Sequence, residues 1–112
     1  MKPLTAAFAL VTLFLTVSAC KKGDPSFAGS YRTTWGSAVL TQEGSMVIGT
    51  YPRGNLRCRA EHPRLSCDWL EGTARGKAKL ARDPVTLTLR GSWGHGDSDE
   101  SGGPWVFAPI PK

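Results

Sequence analysis

Few side chains in this 112-residue chain have the chemistry of a catalytic or metal site: three cysteines, two histidines and one acidic run. The run is His95-x-Asp97-x-Asp99-Glu100, which offers the imidazole and carboxylate ligands of a divalent-cation site. It lacks a rigid frame and further ligands, so we predict a solvated loop and no metal site. Neither His62 nor His95 has an evident group to orient it as a catalytic base. The sequence therefore predicts a non-catalytic protein without a cofactor.

Cys20 follows an N-terminal segment that is typical of exported proteins. Lys2 supplies a positive start, residues 4–17 are mostly apolar, and the segment closes on Val17-Ser18-Ala19-Cys20. This layout predicts a signal peptide over residues 1–19, with an apolar core too short for a comfortable membrane span. Its last four residues resemble the lipobox of bacterial lipoproteins, in which the cysteine thiol carries the lipid.

The lipobox resemblance implies where the mature protein is found. Cys20 is the expected lipidation site, and several acyl chains, palmitate among them, would anchor the protein to a membrane. Residues 20–26 are the lipidated cysteine and a short linker, in which Lys21 and Lys22 favour anionic lipid. By resemblance to enteric sorting rules, lysine after the cysteine implies the outer membrane if the source is Gram-negative. We expect a lipid-anchored cell-envelope protein.

Residues 27–112 are long enough for one small domain. Cys58 and Cys67 are the cysteines left after lipidation, and an even pair in an oxidising compartment predicts a disulfide. The mature chain keeps a mild positive charge, which favours anionic envelope partners over nucleic acid. We expect these basic groups mainly to cover a solvated exterior, as listed: Arg57, Arg59, Arg64, Arg75, Lys77, Lys79, Arg82 and Arg90.

Alternation of apolar and polar residues runs through the whole domain and predicts short β-strands. The clearest stretch, residues 85–93, places Val85, Leu87 and Leu89 on one face. The predicted strands cover residues 27–34, 37–42, 46–51, 55–60, 65–70, 74–81, 85–93 and 105–109. About eight short strands with tight turns indicate an all-β, antiparallel up-and-down meander. Closure into a small barrel would protect its edges.

Two local patterns sharpen this prediction. Cys58 and Cys67 fall on the inner faces of consecutive strands, where facing positions suit a disulfide. The turn between them contains Pro63, which cannot take the positive φ of the favoured two-residue turns, so the turn is longer or holds a cis peptide. A glycine or cysteine also precedes an inward aromatic residue by two positions in four places, ending at Tyr31, Tyr51, Trp69 and Trp93.

The segment from Gly29 to Ser37, with Gly49-Thr-Tyr51, resembles the opening strands of the avidin and streptavidin family. In that family, hydroxyls at the positions of Ser37 and Tyr51 bind the ligand's ureido oxygen. Thr33 stands where the family has an amide, and Arg53 where it has a serine, and these departures argue against biotin. The resemblance implies a β-barrel fold, and one hypothesis is that a small apolar or amphipathic ligand is held inside it. Its candidate contacts are listed here: Tyr31, Thr33, Ser37, Tyr51, Trp69 and Trp93.

A second resemblance points to a protein partner. Small exported inhibitors of proteases and lysozymes are also single-disulfide β-barrels, sometimes lipid-anchored, and they open with a similar Gly-x-aromatic sequence. In those proteins an N-terminal arm or a surface loop blocks the target enzyme. The corresponding loop here covers residues 94–104. The sequence thus leaves two hypotheses open: a ligand-binding barrel, or a protein-binding lipoprotein such as an inhibitor or envelope assembly factor.

Overall fold

The computed structural model describes residues 25–111. They form eight antiparallel strands, each paired with the next, and β8 pairs with β1 to close a barrel. The predicted all-β meander is therefore confirmed. The predicted signal peptide, Cys20 and the residues just after it lie outside the described residues. The strands are β1 (Gly29–Thr33), β2 (Gly36–Glu43), β3 (Met46–Tyr51), β4 (Gly54–Glu61), β5 (Arg64–Glu71), β6 (Ala74–Arg82), β7 (Leu89–His95) and β8 (Gly103–Pro109).

The two-residue alternation decides which side chains fill the barrel. In β4, Leu56 and Cys58 are buried, whereas Arg57 and Arg59 beside them are exposed. Side chains of this inward set leave little room inside, because the largest of them are almost fully enclosed. The largest enclosed side chains are Trp105, Phe27, Phe107, Leu40, Leu56, Leu65, Leu89 and Val47. Within residues 25–111 no helix is long and apolar enough to cross a membrane.

Cys58 and Cys67 are direct cross-strand partners of β4 and β5, with Cα atoms 4.0 Å apart. They form the predicted disulfide. The turn that joins the two strands is short and contains a cis peptide bond between His62 and Pro63. Of the two alternatives for this turn, the cis peptide is the one that the structure shows.

The seventh strand begins at Leu89, so the prediction that it starts at Val85 is wrong. Val85 is 86% exposed and Leu87 47% exposed, instead of facing the core. The cause is Asp83, whose Oδ1 accepts hydrogen bonds from the backbone N–H groups of Val85 and Thr86. These bonds lower the pKa of Asp83 and hold the segment in a turn, with Leu87 at φ +64°. The hydrogen bonds between the Asp83 side chain and the backbone therefore prevent a strand here, although apolar and polar residues alternate in the sequence.

The connections of an up-and-down barrel alternate between its two ends. One end, which we name the arm end, also receives residues 25–28, the arm that leads into β1. The opposite end is named the loop end. At the arm end lie the connections 44–45, 62–63 and 83–88. At the loop end lie the connections 34–35, 52–53, 72–73 and 96–102.

Candidate functional site

The loop end carries a continuous cluster of aromatic side chains. The indole rings of Trp35 and Trp93 meet edge to face, with centroids 4.9 Å apart. Trp35 continues to Trp105 at 5.0 Å, and Trp93 continues to Trp69 at 5.9 Å. Contacts of this geometry add to what area burial alone supplies. The members of this aromatic cluster are Trp35, Tyr51, Trp69, Trp93, His95 and Trp105.

Glycines make room for the largest rings of the cluster. A Cβ atom at Gly76 would come within 2.6 Å of the Trp69 ring, and one at Gly102 within 2.4 Å of the Trp93 ring. Trp69 is also fixed by its Nε1–H, which donates to the carbonyl of Gly94 at 3.0 Å. The indole rings of Trp69 and Trp93 therefore pack directly against glycine backbone. A side chain at Gly76 or Gly102 would displace them.

Exposure differs within the cluster. Trp105 is fully buried, and its Nε1–H has no hydrogen-bond acceptor among residues 25–111. Trp35 and Trp93 are only partly buried. The guanidinium of Arg53 lies 5.3 Å from the centroid of the Trp35 ring, within cation–π range. The outer edge of the cluster thus combines exposed indole with one cation.

A polar group of three borders the cluster on one side. The Tyr51 hydroxyl donates to Oε2 of Glu71 at 2.7 Å, and Nε of Arg53 lies 3.5 Å from Oε1 of the same carboxylate. Burial raises the pKa of Tyr51, and the hydrogen bond and negative charge of Glu71 raise it further. Tyr51 is therefore a neutral hydrogen-bond donor, and Glu71 is an acceptor with its oxygens already engaged.

The loop that follows β7 folds back on the barrel wall. Ser92 donates its hydroxyl to the carbonyl of Asp99 at 2.7 Å, and Ser98 accepts the N–H groups of Glu100 and Ser101. The ammonium of Lys79 pairs with Glu100 and lowers the pKa of that carboxyl. These acids serve as structural contacts. In the part of the chain that the structure describes, no group of three or more His, Cys, Asp or Glu side chains is placed to hold a metal.

Only three of the six predicted ligand contacts meet in the aromatic cluster: Tyr51, Trp69 and Trp93. Tyr31 points to the arm end, where its hydroxyl donates to the carbonyl of Phe27 at 2.7 Å. The Thr33 hydroxyl accepts the N–H of Trp35 and donates to a backbone carbonyl, so it shapes the β1–β2 turn. Ser37 is exposed, on the face of β2 opposite to its buried residues. The structure places Tyr31 and Ser37 away from the cluster, whereas Thr33 contacts it through the backbone of Trp35.

The arm closes the other end of the barrel. Phe27 is 1% exposed, and its N–H donates to Oε1 of Gln42 at 2.7 Å. Arg82 stacks on the Phe27 ring and donates to the carbonyls of Pro25 and Ser26. Arg82 is 7% exposed, so its assignment to a solvated exterior is wrong. It follows Leu80 on the inward face of β6, and the strand's alternation is the signal that identifies it.

Two clefts lie at the arm end of the barrel. One cleft of about 590 Å³ is bordered by Phe27, Gln42 and His62. A second, of about 500 Å³, lies between the arm and the C-terminal residues and is bordered by Val39 and Leu87. Both volumes are in the range of small-molecule sites.

Comparison with known proteins gives no guide to this site: no family model, no curated protein and no solved structure matches the chain. Five residues around the site were not in the predicted ligand set: Trp35, Arg53, Glu71, His95 and Trp105. Trp35 and Arg53 stand in turns, and His95 ends a strand. Their convergence depends on four different connections meeting at one end of a closed barrel, which local patterns do not show.

Proposed function

We propose that this protein is a lipid-anchored, non-catalytic binding module of the cell envelope, which binds a protein partner through the loop end. The observation that carries the proposal is the edge-to-face pair of Trp35 and Trp93, partly exposed at the end of the barrel opposite the arm. The lipid anchor is inferred from the sequence around Cys20.

A protein partner suits this surface for two reasons. Tryptophan and arginine are enriched among the residues that dominate protein–protein binding, and Trp35, Trp93 and Arg53 stand together here. The rings are also held by their neighbours before binding, which reduces the entropy lost when a partner orders the surface. The packed interior supports an external surface over an internal ligand.

The bonding of the polar residues supports a non-catalytic role. Glu71 is engaged by Tyr51 and Arg53, and burial keeps the Tyr51 phenol protonated. The imidazole of His95 contacts the rings of Trp69 and Trp93. Ring contacts hold an imidazole in place, but a catalytic base also needs a polar group that fixes its proton.

The test is in-cell photo-crosslinking with the full chain. A photoreactive residue replaces Thr73, which lies at the loop end, or Ser66, which lies on the outer barrel wall. We expect a crosslinked envelope protein with the probe at Thr73, none at Ser66, and loss of the adduct in Trp35→Ala and Trp93→Ala. Ile48→Ala, which changes an exposed apolar residue in the middle of β3, is the control that keeps the adduct. Equal crosslinking at both positions, or an adduct indifferent to both tryptophans, would overturn the proposal.

A small amphipathic ligand is the second candidate, favoured by the two clefts at the arm end. Such a ligand would lie beside Phe27 and Arg82 rather than inside the barrel. Native mass spectrometry of the protein purified from its own host tests this candidate. A small-molecule adduct lost on Gln42→Ala, but kept in Trp93→Ala, would establish it, and an adduct-free mass would exclude it.

A further inference from the structure

The loop of residues 83–88 presents apolar side chains to solvent at the arm end. Val85 is 86% exposed, the largest value among the exposed large apolar residues, and Leu87 is 47% exposed. Leu87 also holds a left-handed backbone conformation, φ +64°, that is costly for a residue with a side chain. The hydrogen bonds of Asp83 hold this conformation, and it leaves two apolar side chains uncovered at the arm end.

Hydrogen bonds within residues 83–88 define the conformation of this loop. Asp83 accepts the N–H groups of Val85 and Thr86 through its carboxylate, and its carbonyl accepts the N–H of Leu87 at 2.9 Å. The N–H of Asp83 in turn donates to the carbonyl of Thr88 at 2.8 Å. The two apolar side chains are therefore held outward by hydrogen bonds to the carboxylate and the backbone of Asp83.

The same end of the barrel is tied to the chain that leads to Cys20. Leu87 borders one cleft together with Pro25, Ser26 and Ile110. Arg82 fixes Pro25 and Ser26 by hydrogen bonds to their carbonyls. From Cys20 to Pro25 the chain spans at most about 18 Å when fully extended. A lipid on Cys20 would therefore keep the membrane surface within reach of this loop.

We propose that Val85 and Leu87 insert into the surface of the phospholipid bilayer that holds the lipid anchor. The inference rests on the proposed anchoring at Cys20 and adds a second contact that fixes the barrel's orientation. Apolar side chains beside a lipid anchor favour the interfacial layer, and Lys21 and Lys22 add attraction to anionic headgroups. The barrel then stands with the arm end down and presents Trp35 and Trp93 to the space beyond the membrane.

The test uses the processed, lipidated protein in vesicles of neutral and anionic phospholipid. An environment-sensitive fluorophore is attached to Leu87→Cys or, as the matched control, to Leu70→Cys. Both leucines are 47% exposed, but Leu70 lies towards the loop end of β5. We expect spin-labelled lipid to quench the probe at Leu87 and to leave the probe at Leu70 unquenched. Val85→Cys repeats the measurement at a site with an ordinary backbone conformation, should Leu87→Cys disturb the loop.

The outcomes separate this inference from the proposed function. If the protein does not float with vesicles, or if the parent protein itself labels at a free Cys20, the anchoring proposal fails. If the protein floats but neither Leu87→Cys nor Val85→Cys is quenched, only the bilayer contact is wrong. A probe that is shielded in a concentration-dependent way without lipid would assign the loop to a second copy of the chain, and would also overturn the inference.

Discussion

The guanidinium of Arg82 lies 4.1 Å from the centroid of the Phe27 ring, while its N–H groups hold the carbonyls of Pro25 and Ser26. One buried cation thus stacks on the ring of an aromatic core residue and also donates hydrogen bonds to the backbone of the arm. Burying a charge is costly unless its donors are satisfied. Here the arm supplies acceptors for Nη1 and Nη2, whereas Nε has no acceptor among residues 25–111. The arm is therefore part of the folded barrel.

Replacing this cation should release the arm. Arg82→Met keeps much of the apolar packing and removes two charge-assisted hydrogen bonds and the cation–π contact, so we expect a loss of about 2–3 kcal/mol in the free energy of unfolding. Urea denaturation measures the loss, and limited proteolysis reports the freed arm. Arg90→Met, on the exposed side of β7, is the matched control. Equal stability of the two variants would show that the arm is held without Arg82.

Gly102 should be required for the position of Trp93. A methyl group there would lie 2.4 Å from the indole, so Gly102→Ala forces the ring aside at a cost of about 1–3 kcal/mol. Near-UV circular dichroism follows the indole, and the crosslinking at the loop end should fall with it. Trp93→Leu supplies the control, because adding Gly102→Ala to that variant should cost much less than in the wild type. If the losses of stability from Gly102→Ala and Trp93→Leu were additive, the new methyl group would clash with the backbone and not with the Trp93 ring.

Strand alternation predicted the barrel because most inward positions are apolar and closure is the simplest way to remove edges. It failed at Val85 and Leu87, where the sequence keeps the right period but the backbone does not form a strand. Asp83-Pro84 was the competing signal, since aspartate before proline favours a turn and its carboxylate captures the next N–H groups.

The candidate site was harder to predict than the fold. Ser37 entered the ligand set through family alignment. In β2, however, it alternates with the buried residues Ala38 and Leu40, and this places its side chain outside the barrel. Arg82 was assigned to the surface because it is charged. In β6, however, it lies on the same face as the buried residues Ala78 and Leu80, and this places it inside. In both cases the alternation of the strand was the better guide. The meeting of Trp35 with Trp93 depends on barrel closure, so no local pattern identifies it.

The disulfide should contribute measurably to stability, because it joins two strands of a domain with a small core. The loop that it closes is short, so the chain-entropy estimate is about 2–3 kcal/mol. The paired variant Cys58→Ala/Cys67→Ala should lower the free energy of unfolding by that amount and keep the barrel's circular dichroism spectrum. If the paired variant lost no more free energy of unfolding than Ala60→Gly on the same strand, the disulfide would not contribute the expected stability.

Stability should also fall at alkaline pH because of Tyr51. Its pKa is raised above the ordinary value of 10.0 by burial and by Glu71, so the folded state keeps the phenol proton longer than the unfolded state. The stabilisation is complete below pH 10 and is lost as the pH rises towards the folded-state pKa, because the unfolded chain ionises first. Urea midpoints measured across this range should decline in the wild type and decline less in Tyr51→Phe. Tyr31 also has a raised pKa, so Tyr31→Phe/Tyr51→Phe should flatten the profile further. A phenolate absorbance that appears near pH 10 in the still-folded protein would contradict this account of Tyr51.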